Sequence, residues 1–151
     1  MTEAGKARLR LWLRLLKMTR VTEAALRERL RADFGTTLPR FDVMAALSRS
    51  DAGLKMSELS GMLRVSNGNV TGIVDRLAEE GHLERVAVPG DRRASRVRLT
   101  EGGRAAFAAQ SAAHRGWIDE LLGGFAEEEA REIAAMMDSA AQAREEAQDA
   151  Q

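Results

Sequence analysis

Two short stretches of the chain carry side chains whose types and spacing suit contact with nucleic acid. The first, residues 66–72, is a run of short uncharged residues that begins Ser66-Asn67 and contains Asn69 and Thr71. Asparagine can bond adenine bidentately, serine and threonine can reach bases or phosphates, and a threonine or valine methyl group can meet the methyl group of thymine. The same residues also suit a polar helix start whose glycines allow tight packing against a neighbouring helix.

The second stretch begins at Asp91 and concentrates arginines. Arg92 and Arg93 follow directly, and Arg96 and Arg98 alternate with small or apolar residues. Guanidinium groups at a hairpin tip suit the negative potential of a narrow minor groove, and those along a strand suit phosphates. A merely solvated face would more often mix charges of both signs, so this stretch favours a nucleic-acid partner.

The composition supports few other kinds of chemistry. The chain has no cysteine, which excludes disulfides, thiolate zinc sites, iron-sulfur clusters and thiol-based peroxide sensing. Its two histidines, His82 and His114, have no carboxylate partners at metal-ligand spacing. No nucleophile has a plausible base, and Gly68 and Gly72 are not followed by the Gly-Lys-Ser/Thr of a phosphate-binding loop. We therefore predict no enzyme activity, no cofactor and no metal site.

The formal net charge of the 151 residues is zero, from 23 basic and 23 acidic side chains. A neutral chain by itself gives no reason to expect a polyanionic partner. The charges are unevenly distributed, however: residues 1–33 carry +5 and residues 81–104 carry +3, whereas residues 105–151 carry −7. The segment that holds the arginine cluster is therefore basic, and the acidic excess lies at the other end of the chain.

Neither a membrane span nor a secretory signal is predicted. No stretch approaches the roughly 18 uncharged apolar residues that a membrane span requires. The arginine-rich N-terminus has an amphipathic repeat and lacks a small-residue cleavage site. We expect a soluble, cytoplasmic protein with no membrane partner.

Hydrophobic periodicity predicts a mainly helical chain. Prolines, glycines and capping residues indicate where the helices begin and end. The predicted helices are 6–33, Pro39 to about Ser50, a short helix capped by Ser57 that ends at Leu63, a helix capped by Ser66 that ends at Gly81, and 102–148 with a break at Gly123-Gly124.

After the fourth helix the apolar period changes from 3.6 to 2. Leu83–Val88 and Ser95–Leu99 are predicted strands, joined by a turn at Pro89-Gly90-Asp91, and the second strand should bury Val97 and Leu99. A short helix, a turn and a capped second helix form a helix-turn-helix, and a hairpin directly after it forms a wing. The predicted fold class is mainly α with a β-hairpin wing: a winged helix-turn-helix with additional helices.

The wing resembles a known signature. Residues 91–103 match the pattern D-x-R-x-x-x-V-x-L-T-x-x-G of the multiple antibiotic resistance regulator (MarR) family. The segments Leu59–Leu63 and Val65–Leu77 and the flanking long helices also fall in the family order. The resemblance implies a homodimeric winged helix-turn-helix transcriptional regulator whose first and last helices interlock. It implies a helical dimerisation region of residues 1–34 and 103–148 and a DNA-binding domain of residues 35–102.

The resemblance also implies roles for individual residues. Arg93 would enter the minor groove from the wing tip, with Asp91 as its orienting carboxylate. Residues 66–71 would lie on the recognition helix, which reads the major groove of a pseudo-palindromic operator, and two such helices must be about 34 Å apart. The candidate DNA-binding residues are Ser66, Asn67, Asn69, Val70, Thr71, Arg76, Asp91, Arg92, Arg93, Arg96 and Arg98.

Members of the family commonly bind a small aromatic or phenolic effector between the dimerisation helices and the winged domain, and release DNA when they do. The candidate ligand-binding residues here are Trp12, Leu16, Arg20, Phe41 and Met44. The helical spacing of the apolar residues among them equally suits ordinary core packing.

A finer resemblance concerns the effector. Leu11–Leu16, Thr36–Asp42 and Val65–Thr71 are similar to members that control hydroxycinnamate and related aromatic-acid catabolism, some of which respond to a coenzyme A thioester. A basic stripe could meet the phosphates of such a ligand, because clustered cations suit phosphate oxygens. The competing interpretations are contact with DNA phosphates and an ordinary solvated face. The basic stripe consists of Lys6, Arg10, Arg14 and Lys17.

The sequence thus predicts a repressor that binds operator DNA as a homodimer and is released by a small aromatic acid or its coenzyme A thioester. The alternative is a non-enzymatic dimeric interaction scaffold with the same fold and no specific operator. The wing discriminates between them, because a scaffold has no use for four arginines on one hairpin.

Overall fold

Helices dominate the computed structural model, which describes residues 2–63 and 67–150. The elements are α1 Glu3–Phe34, α2 Leu38–Ser48, β1 Leu54–Lys55, α3 Met56–Leu63, α4 Asn67–Glu79, β2 Leu83–Val88, β3 Asp91–Leu99, α5 Glu101–Leu121 and α6 Glu127–Asp149. The mainly helical chain with a small antiparallel sheet confirms the predicted fold class. Within the described ranges, no helix is long and apolar enough to cross a membrane.

Local capping chemistry explains where the first two helices begin and end. The Thr37 hydroxyl accepts a hydrogen bond from the Arg40 backbone N–H at 3.3 Å, so α2 begins one residue before the predicted Pro39. Gly35 terminates α1 in the left-handed conformation, with φ at 60°, and its N–H donates to the Arg31 carbonyl. The break between α1 and α2 thus lies between the two predicted helices, 6–33 and Pro39 to about Ser50.

The sheet contains a strand that the sequence did not predict. Its order is β1-β3-β2, and β1 is only two residues long, with Leu54 paired to Val97. Two residues are too few to show a period of 2, so only pairing with β3 identifies them as a strand. Because β1 leads directly into α3, that helix begins at Met56 and the predicted Ser57 cap is wrong.

One hydrophobic core joins the helix-turn-helix to the wing. The buried members come from α2, α3, α4, β2 and β3, so the wing strands pack on the same core as α4. These residues are Val43, Met44, Ala46, Leu47, Leu59, Val70, Val74, Leu77, Leu83, Val97 and Leu99. The predicted burial of Val97 and Leu99 on β3 is confirmed.

A second cluster ties α1 and α5 to α2. Leu30 of α1 packs with Leu38 and Phe41 of α2, and Phe107 and Trp117 of α5 pack against them. Phe107 also contacts the larger core. The C-terminal part of α1 and the first part of α5 therefore share contacts with the winged domain.

The chain divides into two compact units, Met1–Trp117 and Ile118–Gln151. The second unit contains the last turn of α5 and all of α6. Helix α6 begins after Ala126, and the Ala126 backbone N–H donates a hydrogen bond to the Glu129 carboxylate at 2.8 Å. A groove of about 630 Å³ in this unit is lined mainly by Ile118, Leu122, Phe125, Ala130 and Ala134.

Candidate nucleic-acid interface

Helix α4, the second helix of the helix-turn-helix, has one buried and one exposed face. Val70, Val74 and Leu77 are buried, whereas Asn69, Thr71 and Arg76 are exposed. Val70 is 0% exposed, so its side chain belongs to the core and its predicted contact with DNA is wrong. The reason is helical period, since residue 70 shares a face with residues 74 and 77. Ser66 and the side chain of Asn67 lie outside the described residues.

Ion pairs fasten the C-terminal half of α4 to its neighbours. Asp75 accepts a hydrogen bond from Arg85 of β2 at 2.7 Å. Glu80, just beyond α4, is bonded by Arg40 of α2, and the Arg76 Nε lies 3.9 Å from the same carboxylate. The Arg40 side chain is only 19% exposed, so this pair holds α4 at a partly buried position. Arg76 itself remains 71% exposed, which leaves its guanidinium accessible to a phosphate.

The base of the wing is held by two residues of the signature. The Thr100 hydroxyl donates to the Gly81 carbonyl at 2.6 Å and accepts from the Gly103 N–H at 3.0 Å. A Cβ on Gly103 would lie 2.0 Å from the His82 carbonyl oxygen, so only glycine allows α5 to approach the start of β2 this closely. Thr100 and Gly103 therefore hold the start of α5 against Gly81 and His82, at the base of the wing.

The tip of the wing presents Arg92 and Arg93 to solvent. Asp91 accepts a hydrogen bond from the Arg93 backbone N–H at 2.9 Å, which closes a local turn. The predicted orienting carboxylate thus acts on the backbone of Arg93 and not on its guanidinium. Among the described residues, neither tip arginine has an ion-pair partner, and both are exposed. Two unpaired cations on a shaped turn suit insertion into a narrow groove.

The two strand arginines are engaged within the sheet. The Arg98 Nε donates to Glu84 on the neighbouring strand at 2.6 Å, and an Arg96 terminal nitrogen donates to the Gly53 carbonyl at 3.3 Å. Both arginines are only partly exposed. This face therefore mixes charges of both signs, contrary to the expectation for a phosphate-binding strand, and the tip carries the freer cations.

The five candidate ligand-binding residues do not come together within one chain. Met44 and Phe41 are buried in the two core clusters, whereas Trp12 and Arg20 are exposed and Leu16 is partly exposed. Leu30 packs against Phe41, and Trp12 precedes Leu30 by 18 residues on α1. At 1.5 Å per residue, Trp12 lies about 27 Å from Leu30 along the axis of α1.

A cluster that the sequence analysis overlooked lies where α1, α2 and α5 meet. His114 stacks on Phe41 with ring centroids 4.7 Å apart, and Phe107 packs on the same ring at 5.5 Å. Gln110, between them on α5, is buried. The sequence signal for this cluster is the spacing of Phe107, Gln110 and His114 by three and then four residues, which places them on one face of a helix.

Two ionisable groups in this cluster have shifted pKa values. Burial lowers the pKa of His114 below its ordinary 6.5, and attraction to Asp42 opposes the shift. Burial raises the pKa of Asp42 above 3.8, the nearby Glu23 raises it further, and His114 opposes the rise. The site thus disfavours charge on both partners.

We expect His114 to make the protein less stable as the pH falls below about 6.5. Because the pKa of His114 is lower in the folded chain, the unfolded chain binds the proton more readily, so protonation favours unfolding. Urea denaturation between pH 7.5 and 5.5 should show a smaller loss of unfolding free energy for His114→Gln than for the parent. Equal pH dependence in the two proteins would contradict this assignment.

Comparison with known proteins agrees with the geometry. Residues 34–94 match the sequence profile of the MarR family. The chain is 31% identical to the HTH-type transcriptional regulator PecS of Dickeya dadantii over 64% of its length and 60% of PecS. It is 33% identical to the transcriptional activatory protein BadR of Rhodopseudomonas palustris over 60% of its length and 54% of BadR. The matched segments thus span less than two thirds of these two relatives.

A solved structure extends the likeness to nearly the whole chain. The MarR family transcriptional regulator of Silicibacter pomeroyi is 30% identical, with a TM-score of 0.81, over 95% of this chain and 99% of that protein. These relatives are named as transcription regulators and none of them as an enzyme. This chain belongs to the MarR family of transcriptional regulators.

Proposed function

We propose that the protein is a homodimeric regulator that binds double-stranded operator DNA through residues 35–102. The N-terminal half of α4 enters the major groove, and Arg92 and Arg93 enter the adjacent minor groove. The observation that carries this proposal is a pair of exposed arginines, without ion-pair partners among the described residues, at the tip of a wing whose strands share a core with α4. The proposed partner, genomic DNA, implies a cytoplasmic location.

The N-terminal half of α1 supports dimerisation through residues 1–34 and 103–148. Leu9, Leu11, Trp12 and Leu13 are each at least 45% exposed. At about 100° per residue, these positions spread over more than half of the helix circumference. A helix that packs on a single surface needs an apolar stripe only about 100° wide, so this one suits insertion between two surfaces of a second copy.

Charge complementarity supports the same arrangement. Residues 1–33 carry +5 and residues 105–151 carry −7, and α6 begins with Glu127, Glu128 and Glu129. Opposite charges on the two ends of the chain favour pairing between copies. Sedimentation equilibrium should give twice the 16.5 kDa chain mass, and a monomer at micromolar concentration would argue against this proposal.

The DNA-binding proposal is tested by selecting duplexes from a randomised pool with the full chain. We expect enrichment of a pseudo-palindrome with half-sites one helical turn apart. The binding constant should fall steeply with salt, because several phosphate contacts release counterions. No enrichment together with a flat salt response would favour the scaffold alternative.

We infer further that a small aromatic acid or its coenzyme A thioester releases the DNA. Because Trp12 lies about 27 Å along α1 from Leu30, which packs against Phe41, a ligand that contacts both Trp12 and Phe41 needs α1 of a second copy. The basic stripe Lys6, Arg10, Arg14 and Lys17 would then meet the phosphates of a thioester. Isothermal titration with hydroxycinnamic acid and with its thioester tests this inference, and the absence of heat from either at high micromolar concentration would refute it.

Repression is the proposed outcome of DNA binding. A bulky dimer on a promoter-proximal site would exclude the polymerase, and release by the effector would restore transcription. In vitro transcription from a promoter that contains a selected duplex should therefore decrease when the protein is added. An increase would instead indicate an activator, the role that the name of BadR assigns to that relative.

A further inference from the structure

Gly72 lies in the middle of α4, where the folded chain itself has no need of glycine. The residue is exposed, its backbone is not in the left-handed region, and no described atom lies within 4 Å of the point that a Cβ would occupy. Gly103 is the opposite case, because a Cβ there would collide with a backbone carbonyl. Glycine is, after proline, the least favourable residue in a helix interior, so its presence at position 72 calls for a reason outside the chain.

The position of Gly72 on α4 places it on the face that is assigned to DNA. Asn69, Gly72 and Arg76 follow one another at spacings of three and four and therefore share a face of α4. That face is exposed and lies away from the buried Val74 and Leu77. Gly72 thus sits between two of the side chains assigned to DNA.

The neighbouring side chains can read bases only at close range. Asn69 and Thr71 are short, and short side chains reach base edges only if the helix axis lies deep in the major groove. A bulkier residue between Asn69 and Arg76 would meet the groove first and hold the helix away. A missing side chain at position 72 removes that obstacle.

We propose that Gly72 determines DNA specificity through close approach: its lack of a side chain lets the backbone of α4 press against the groove, so that Asn69 and Thr71 reach bases. This inference rests on the proposed function. It assigns to Gly72 a steric role that no charge or hydrogen bond of the residue supplies. It also predicts that stability and affinity change in opposite directions when the side chain is added.

The test compares Gly72→Ala with the parent on duplexes that the parent has selected from a randomised pool. The thermal midpoint should rise by about 2–4 °C, because alanine is the better helix former. The affinity should fall by about tenfold, because an added methyl group overpacks a close contact. The slope of affinity against salt should not change, because the number of phosphate contacts is the same.

A matched control is Gly116→Ala. Gly116 is an exposed glycine within α5 that also has no described atom within 4 Å of a Cβ. The control should raise the thermal midpoint by a similar amount and leave the affinity unchanged at protein concentrations where sedimentation equilibrium shows that it is still dimeric, because position 116 lies within the proposed dimerisation region. Gly72→Leu extends the series, since a larger side chain should reduce the affinity further.

The outcomes that would overturn the proposal are distinct from a failure of the proposed function. If Gly72→Ala and Gly72→Leu bind selected duplexes as tightly as the parent, close approach at this position is refuted. If Gly72→Ala lowers the thermal midpoint, the glycine serves the fold and not the DNA. If the parent selects no sequence at all, the proposed function itself fails and this inference falls with it.

Discussion

Arg93→Ala is expected to reduce the affinity for selected operator duplexes by about tenfold or more, with almost no change in the thermal midpoint. The side chain is exposed and has no described ion-pair partner, so the folded chain loses nothing when it is removed. The turn that presents it is closed by Asp91 through the Arg93 backbone N–H, which alanine retains. Fluorescence anisotropy on a selected duplex and differential scanning calorimetry provide the two measurements.

Controls separate a specific contact from the loss of one charge. Arg115→Ala removes the same charge from an exposed position on α5 and should change the affinity little where sedimentation equilibrium shows that the variant is still dimeric. Asp91→Asn should behave like the parent, because an asparagine oxygen can accept the same bond from the Arg93 N–H, whereas Asp91→Ala should weaken DNA binding. If Arg93→Ala and Arg115→Ala bind alike, the wing tip does not contact DNA.

Gly103→Ala should destabilise the protein by about 3 kcal/mol or more. The new Cβ would lie 2.0 Å from the His82 carbonyl oxygen, and neither backbone can move without disturbing the wing. A shift of α5 would also break the bonds that Thr100 makes with Gly81 and Gly103. Chemical denaturation should show a large decrease in the midpoint, and DNA binding should weaken at temperatures where the parent remains folded.

The adjacent glycine provides a matched control for this prediction. In Gly102→Ala the nearest atom to the new Cβ would be the Thr100 hydroxyl oxygen at 3.9 Å, an ordinary contact distance. We therefore expect Gly102→Ala to change the free energy of unfolding by less than about 0.5 kcal/mol. Similar effects at the two neighbouring positions would mean that the close approach of α5 to His82 is not a determinant of the fold.

The two predictions concern different functions of one signature. Asp91 and Arg93 shape and charge the tip of the wing, while Thr100 and Gly103 fix its base. A variant at the tip should therefore lose DNA binding and keep its stability, whereas a variant at the base should lose stability first. The residue types that the motif specifies thus have two separate physical origins.

Part of the candidate site could be predicted from residue types alone, and part could not. An arginine pair beside a turn predicts exposed cations at a hairpin tip whatever the rest of the fold does. Whether Arg98 is free to contact DNA depends on Glu84, with which it forms an ion pair. The two residues face each other only because β2 and β3 pair in one particular register. Such cross-strand partners are distant in sequence, so spacing along the chain does not reveal them.

The helices, the hairpin and the wing motif could be predicted from the sequence, because they depend on local period, capping residues and turn chemistry. Which of the predicted contacts are available depends on how the helices and strands pack. Packing against α2 and the wing buries Val70, and the length of α1 separates Trp12 from Phe41. Close approach requires glycine at position 103, while position 72 is left open. Burial and separation are properties of the assembled helices, and no short stretch of sequence encodes them.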